Sequence, residues 1–521
     1  MKTLKSLMLI SLGILCLVVS AQAQYVPGAF GLTDISLLFS NTNIGGSARM
    51  QAIGGAQISL GGDISAASAN PAGLGFFRKS EFSFSPSYNI FNSESRYFNT
   101  ISNENDTRLN FANVGIVFNN SKDDIVPGAW RGGSFAISIN KVNDFNGNFY
   151  YEGVNDDNTI IDYFAGAADG ILTDKMVPDL IGLSYFSYLI NPTSILDPSG
   201  RDDVYFPITF DDQIAEQSEF IESTGGQYQW NFAYGGNFSD KIYLGANLGL
   251  SNIRYETEKQ YSSFIDDDSQ ESEFAPGVDL TINENLRLTG IGINGTVGVI
   301  VKPIPFLNIG ASFTTPTIIN VDEETTPNVF VDYFEDEFDN YEFYYPLADS
   351  SEFIDQIDET GDLYLNEYRI TSPFRASLGA TAFFGKFGFV SADVDYINFS
   401  SQKFRSRDFS TEQEKQINRD LFEIYREVLN LRVGAELRYN IFRFRGGFAY
   451  NPSPYKDNTI DRSQTRITAG AGIRMPKFFL DLAYVNTQFT SAYSPYMVEP
   501  LPIAEFDNNF STTTLTAGFY F

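Results

Sequence analysis

The chain closes with Thr512-Thr-Thr-Leu-Thr-Ala-Gly-Phe-Tyr-Phe521, and this stretch decides the fold class. Thr513, Leu515, Ala517, Phe519 and Phe521 fall on one face of an extended backbone. Thr512, Thr514, Thr516, Gly518 and Tyr520 fall on the other. A two-residue period predicts a strand with two different faces. The pattern recurs upstream, where Leu429, Leu431, Val433, Ala435, Leu437 and Tyr439 oppose Asn430, Arg432, Gly434, Glu436 and Arg438. Residues 242–250, 374–384 and 465–474 alternate in the same way. The apolar faces carry no charge, whereas the opposite faces collect Arg375, Arg432, Glu436, Arg438, Arg466 and Arg474. A soluble sandwich also alternates. Segments of ~10–13 residues, however, suit tilted strands that cross a bilayer.

Working outward from these segments gives fourteen expected strands: 80–92, 108–119, 131–142, 226–238, 241–256, 285–302, 304–316, 367–384, 387–404, 428–440, 442–450, 464–475, 477–489 and 511–521. Tight turns join several pairs, at Ser239-Asp240, Pro303-Ile304-Pro305, Gly385-Lys386, Asn440-Ile441 and Pro476-Lys477. Long connections occupy 143–225, 257–284, 317–366, 405–427, 451–463 and 490–510. Only 120–130 lengthens the short-turn side. An even strand count with short turns at one end and long loops at the other predicts an all-β membrane protein, a fourteen-stranded antiparallel transmembrane barrel.

Charge agrees with this plan. The chain has 521 residues, with Lys+Arg 35, Asp+Glu 65 and His 0, a net charge of −30. Connections 143–225, 257–284 and 317–366 hold 39 acids against 3 bases, a net of −36 that exceeds the whole-chain total. Zero histidine excludes Ser-His-Asp hydrolysis, His-ligated zinc and His-ligated haem. The acidity argues against nucleic acid as a partner. No constellation of carboxylate, Ser, Lys or Tyr stands out as catalytic, so no enzyme and no cofactor are expected. The acidic runs Asp266–Asp268 and Asp332–Asp339 lack the spacing of a calcium loop and read as solvated loop.

The first segment reads as an address. Lys2 and Lys5 precede an apolar run from Leu7 to Val19, and Ala21-Gln-Ala23 fits a cleavage site, so residues 1–23 form an expected signal peptide. Cleavage there would remove Cys16, the sole cysteine. Among the loops, Thr411-x-x-Glu414 predicts a capping box before an amphipathic helix, and Asp211 a cap for a helix over 212–222. The apolar stretch Leu180–Ile190 suits either packing between loops or a hydrophobic landing site at the barrel mouth.

Residues 24–79 do not alternate. They are rich in Gly, Ala and Ser, yet Met50, Ile53, Ile58 and Leu60 are too apolar for a flexible linker. A compact segment inside the barrel is expected, with 80–521 as the barrel itself. Three motifs then become specific: Gly45-Gly-Ser-Ala-Arg-Met-Gln-Ala-Ile-Gly-Gly-Ala56, Gly61-Gly-Asp-Ile64 and Asn70-Pro-Ala-Gly-Leu74. Together they resemble the N-terminal hatch of the FadL/TodX outer-membrane transporters of hydrophobic compounds, in their Bacteroidetes-type branch. Leu307–Thr317, Ser372–Gly379, Ser391–Tyr396 and the terminal Phe521 extend the resemblance over nearly the whole chain after residue 23.

The resemblance implies a barrel plugged by a hatch, in the bacterial outer membrane. It implies passive uptake of long-chain fatty acids or aromatic hydrocarbons, with hatch movement as the gate and a lateral exit near the third strand. Hatch residues Asn70, Pro71 and Ala72, and Asn143, Phe145 and Gly147 after the third strand, are the corresponding gating candidates. Arg375, Arg432 and Arg438 lead the lumen arginines that would meet a carboxylate, with Arg443, Arg445, Arg466 and Arg474 beside them. The same arginines equally suit pairing with Asp393, Asp395, Glu436 and Asp481 to brace the barrel. Expected partners are a hydrophobic small molecule, outer-membrane lipid and lipopolysaccharide, and the barrel assembly machinery that reads an aromatic C-terminus; the chain is expected as a monomer. A partner barrel of an envelope or secretion complex is the competing reading.

Overall fold

Alternating side chains make a sheet, and a sheet whose first and last strands meet has no edge. The computed structural model describes residues 31–42, 45–122, 128–195, 199–209, 213–266, 277–334 and 356–521. The expected signal peptide and Cys16 lie outside them, as do most of the two acidic runs.

Fourteen wall strands close into one antiparallel barrel. The first six are Glu81–Tyr97, Thr100–Ser121, Trp130–Asp144 continued by Gly147–Asn155, Ala215–Phe238, Ile242–Ile265 and Gly277–Ile304. The seventh joins Leu307–Thr314 to Ile318–Phe334, and the eighth Gln356–Thr360, Tyr364–Thr371 and Arg375–Phe383. The ninth joins Gly388–Asn398 to Lys403–Ser406. Glu427–Tyr439, Phe442–Asn451, Gln464–Arg474, Phe478–Tyr493 and Ala504–Tyr520 complete the wall. The first strand pairs with the last from Glu81↔Tyr520 to Tyr97↔Ala504. Ser239, Asp240 and Asn440 adopt positive φ of 56°, 54° and 55°, as the tight turns at these sites require.

Several walls are longer than the alternation predicted, and they correct the expectation of long loops. The fifth and sixth strands run 24 and 28 residues. Their outer face changes character along the strand. Ile242, Leu244, Leu248 and Leu250 are exposed apolar residues, followed on the same face by Asn252, Arg254 and Glu258. The inner face changes in the opposite sense: Asn247 and Ser251 give way to Ile253, Tyr255, Tyr261 and Ile265, all buried. In the sixth strand the change falls between buried Leu288 and exposed Ile291. The apolar outer band marks the part of the wall that lies in the bilayer. Above it the sheet stands in water and keeps its apolar side chains within, so part of the acidic segments lies on extended sheet.

The expected helix over 212–222 is absent: Ala215–Phe238 is strand, because Ala215, Gln217, Glu219 and Ile221 all turn inward. The helix Thr411–Ile424 is capped one residue early, by Ser410 with Gln413 in place of Thr411 with Glu414. Leu180–Phe186 forms a short helix capped by Asp179. Leu183 packs with Ile160, Phe164, Ile265 and Val331 above the membrane, which favours the loop-packing reading of that stretch.

The N-terminal segment lies inside the barrel. Helices Leu32–Ser40, Ala48–Gln51 and Ala66–Ala69 and the 3-10 turn Pro71–Phe76 follow one another there. Its backbone polar groups are met by wall side chains: Ala48 N donates to Thr516 Oγ1 at 2.7 Å, Gly54 N to Thr468 Oγ1 at 3.0 Å and Ile58 N to Asp393 Oδ2 at 2.9 Å. Wall glycines permit this approach. A Cβ on Gly245 would strike the Pro71 backbone, and one on Gly434 the Ile53 backbone.

Candidate functional site

Above the middle of the N-terminal segment the lumen opens into a cavity of about 590 Å³. Phe91, Phe489 and Phe510 from the wall, Leu37 and Leu38 from the first helix, and Phe164 from the outer loops give it apolar sides. Lys141, Lys259, Arg462 and Arg466 also line it, with Asp144, Glu219 and Glu284. Such a chamber, mostly apolar with a few placed charges, suits a ligand with a greasy body and a polar end.

Its charges are held in place. Lys141 Nζ pairs with Asp144 at 2.7 Å, and Asn89 Nδ2 donates to the same carboxylate at 2.5 Å. Lys259 Nζ sits 2.6 Å from Glu284 and 3.6 Å from Glu219, which also accepts from the Tyr151 hydroxyl at 2.6 Å. Burial pulls the Lys259 ammonium down, but Glu284, Tyr493 and Glu219 outweigh it and hold it well above its usual value. Burial raises the Glu219 carboxyl in spite of Lys259 and Tyr151. The lysine thus stays a cation under physiological conditions, at the upper end of the chamber.

The wall is interrupted beside this chamber. The third strand stops at Asp144 and resumes at Gly147. Its pairing with the second strand reaches only Asn113↔Asn140, while its pairing with the fourth continues through a bulge at Lys141/Asn143 and on from Gly147↔Ser223. The turn-prone run Asn143-Asp-Phe-Asn-Gly147 accounts for the break, since Asp144 Oδ1 accepts the Asn146 backbone N–H at 3.3 Å. Above Asn113 the second strand therefore lacks a backbone partner on this side. Side chains reach across instead: Arg108 meets Glu222 of the fourth strand at 2.9 Å, and the Phe111 and Tyr228 rings stand 5.0 Å apart.

Asn143 and Phe145 contact the N-terminal helix. Asn143 Nδ2 donates to Leu38 O at 2.7 Å, and the Phe145 ring lies 5.7 Å from Phe39 and 5.6 Å from Tyr255. Gly147 packs under Phe91. Asn70, Pro71 and Ala72 lie below this seam, toward the short-turn end, with Ser68 just before them accepting from Asn140 Nδ2 at 2.8 Å. There Asn70 Nδ2 donates to Ile58 O at 2.6 Å, Asn70 Oδ1 accepts from Ala72 N at 3.2 Å, and Ala72 packs on Tyr243 and Ile300.

The lumen arginines are mostly engaged elsewhere. Arg432 pairs with Asp395, and Arg375 donates to Thr42. Arg438 and Arg445 both meet Glu436 at 2.7 Å, Arg445 and Arg474 hold Asp481, and Arg49 of the inner segment approaches Glu436 at 3.6 Å. Of the arginines singled out from the sequence, Arg466 lines the chamber. Lys259 and Arg462 were not singled out. Lys259 sits in a Glu-rich run that reads as solvated loop, and only the strand extension reveals that it points inward.

No family model and no curated protein matches the sequence. Solved structures match the fold. A Pseudomonas aeruginosa FadL homologue superimposes with a TM-score of 0.51 at 14% identity, covering 92% of this chain and 98% of that one. The Pseudomonas putida toluene transporter TodX gives 0.52 at 11% identity, covering 92% of this chain and 99% of that one. At these identities the likeness is one of fold.

Proposed function

We propose that this protein is a passive channel of the bacterial outer membrane that takes up hydrophobic molecules, of the class of long-chain fatty acids or aromatic hydrocarbons. The observation that carries this reading is the meeting of an apolar chamber with a place where neighbouring wall strands stop pairing. The inner segment obstructs the straight route to the short-turn end. The interrupted seam offers a sideways route into the bilayer, and a ligand leaving that way keeps its apolar surface out of water. Returning it to water would cost about 0.8 kcal/mol per methylene.

In this reading residues 1–23 are a removed signal peptide, 24–79 the hatch and 80–521 the barrel. Lys141 and Arg466 receive a polar head group while Phe91, Phe489 and Phe510 receive the chain. Asn143 and Phe145 tie the seam to the hatch helix, so movement of one moves the other. The chain works as a monomer, is inserted by the barrel assembly machinery, and carries no catalytic activity. That a FadL homologue and a toluene transporter share the fold supports the reading.

The test is mass spectrometry of small molecules that accompany the barrel when it is purified in mild detergent from its own membrane. Fatty acids or hydrocarbons should be enriched over a control barrel of the same preparation. An empty lumen with envelope proteins bound in fixed ratio would replace this reading with that of a partner barrel.

A further inference from the structure

The wall carries a second depression, on its lipid side, across the sixth to tenth strands. Pairing sets Val297, Phe313, Ala376, Tyr396 and Leu429 in one row. Ala311 lies in the row beneath, beside Leu378. Ala311 and Ala376 are small among large neighbours, so the apolar wall is notched, and the groove holds about 590 Å³.

Toward the cell exterior the same strands end their apolar band. Ile318, Thr371 and Lys403 form one row, and Asn320, Arg369 and Arg405 the next. Lys403, Arg369 and Arg405 are all exposed. Arg369 and Arg405 are paired directly across two strands, an arrangement in which like charges repel. Among the described residues none of the three forms an ion pair; Arg369 Nε donates to Asn320 Oδ1 at 2.9 Å. Several other exposed arginines above the apolar band are neutralised, though among the described residues exposed Arg407 and Arg419 also form no ion pair. Arg254 and Arg287 each meet Glu256 at 2.9 Å, and Arg96 meets Asp507 at 2.9 Å. In a chain of net charge −30, these three cations stand above an apolar groove without an ion pair among the described residues, with Asp322 and Glu367 one row farther out on the same face.

We propose that the groove and the three cations bind a phosphate-bearing lipid of the outer leaflet. An acyl chain lies over Ala311 and Ala376, and the phosphate sits on Arg369, Lys403 and Arg405. From the Phe313 row to the Ile318 row is five residues of chain, broken as strand over 315–317, and so at most about 17 Å, which places the cations toward head-group height when the chain lies in the groove. Guanidinium groups match phosphate oxygens with paired hydrogen bonds, and the lysine adds a point charge. The site lies outside the lumen and is independent of what the chamber carries.

The experiment is native mass spectrometry of the full-length barrel in detergent micelles doped with bisphosphorylated lipid A or with its dephosphorylated form. Wild-type protein should retain the phosphorylated lipid over the dephosphorylated one. Joint replacement R369Q, K403Q and R405Q should lower retention at least about tenfold. R254Q with R287Q, cations already paired, should leave it unchanged. Ala376→Trp fills the groove without touching charge and should also release the lipid. Heat-modifiable gel migration confirms that each variant is folded. Equal retention by wild type and the triple variant, equal binding of the two lipids, or undiminished binding by Ala376→Trp would each overturn the proposal.

Discussion

Up to Leu250 the fifth strand turns its apolar side chains outward, and from Ile253 onward it turns them inward. The backbone runs on without a bulge in its pairing to the fourth strand, so the side-chain phase does not slip; only the residues placed in each phase are exchanged. The difference teaches that the surroundings, and not the strand, decide which face is apolar. In hydrocarbon the outside is apolar, the ladder must close on itself, and polar groups gather within. In water the same ladder gathers Ile253, Tyr255, Leu286, Leu288 and Ile319 into an ordinary buried core. The membrane half is held from inside by ion pairs and by hydrogen bonds to the N-terminal segment, the outer half by apolar packing.

Each half can be attacked in its own currency. The largest effect is expected at Glu436, which binds Arg438 and Arg445 and lies near Arg49. Glu436→Gln leaves buried cations short of an anion and should destabilise the barrel by about 3–5 kcal/mol in urea titration in lipid. A loss below about 1 kcal/mol would show that water already screens this network. Next comes Leu288→Ala, a cavity in the outer core expected at about 2–5 kcal/mol. Hydrogen exchange should quicken around Tyr255 and Ile319 while the membrane ladder keeps its protection; uniform quickening would mean that the halves unfold as one. The outer face gives the third test. Leu248→Arg, in the apolar band, should destabilise by about 2–4 kcal/mol. Glu258→Arg, on the same face of the same strand, should stay within about 0.5 kcal/mol. Similar losses for both would move the bilayer boundary.

What could be read from the sequence follows the same division. Membrane-level strands and their turns were legible because one face is free of charge over nine or more residues and turns such as Ser239-Asp240 punctuate them. The extensions were not, because alternation there has exchanged faces. Leu286 and Leu288 belong to one face and Ile291 and Ile293 to the other; the expected strand 285–302 takes in both pairs but misses Gly277–Glu284, where Leu280 and Ile282 continue the inward face. Gln217 and Glu219 likewise point into a buried polar cluster, where sequence alone suggests a solvent-facing helix. The break after Asp144 was visible as Asn-Asp-Phe-Asn-Gly. The partners of the lumen arginines were only half visible. Register sets Arg432 opposite Asp393, yet it pairs with the diagonal neighbour Asp395, and Arg49 meets Glu436 across nearly four hundred residues.

That distance has a consequence for how the molecule comes into being. The N-terminal segment is made first, yet it is anchored by Asp393, Thr468 and Thr516, which are made last. Contacts so far apart in sequence form slowly, because much chain entropy is lost before any of them is gained. The ladder between Glu81 and Tyr520 closes a ring around whatever already lies within. Once that ladder is closed, the segment lies within the ring, held by side chains from the ninth, twelfth and last strands. A chain lacking its final strand would have neither a closed wall nor the Thr516 anchor for its own beginning.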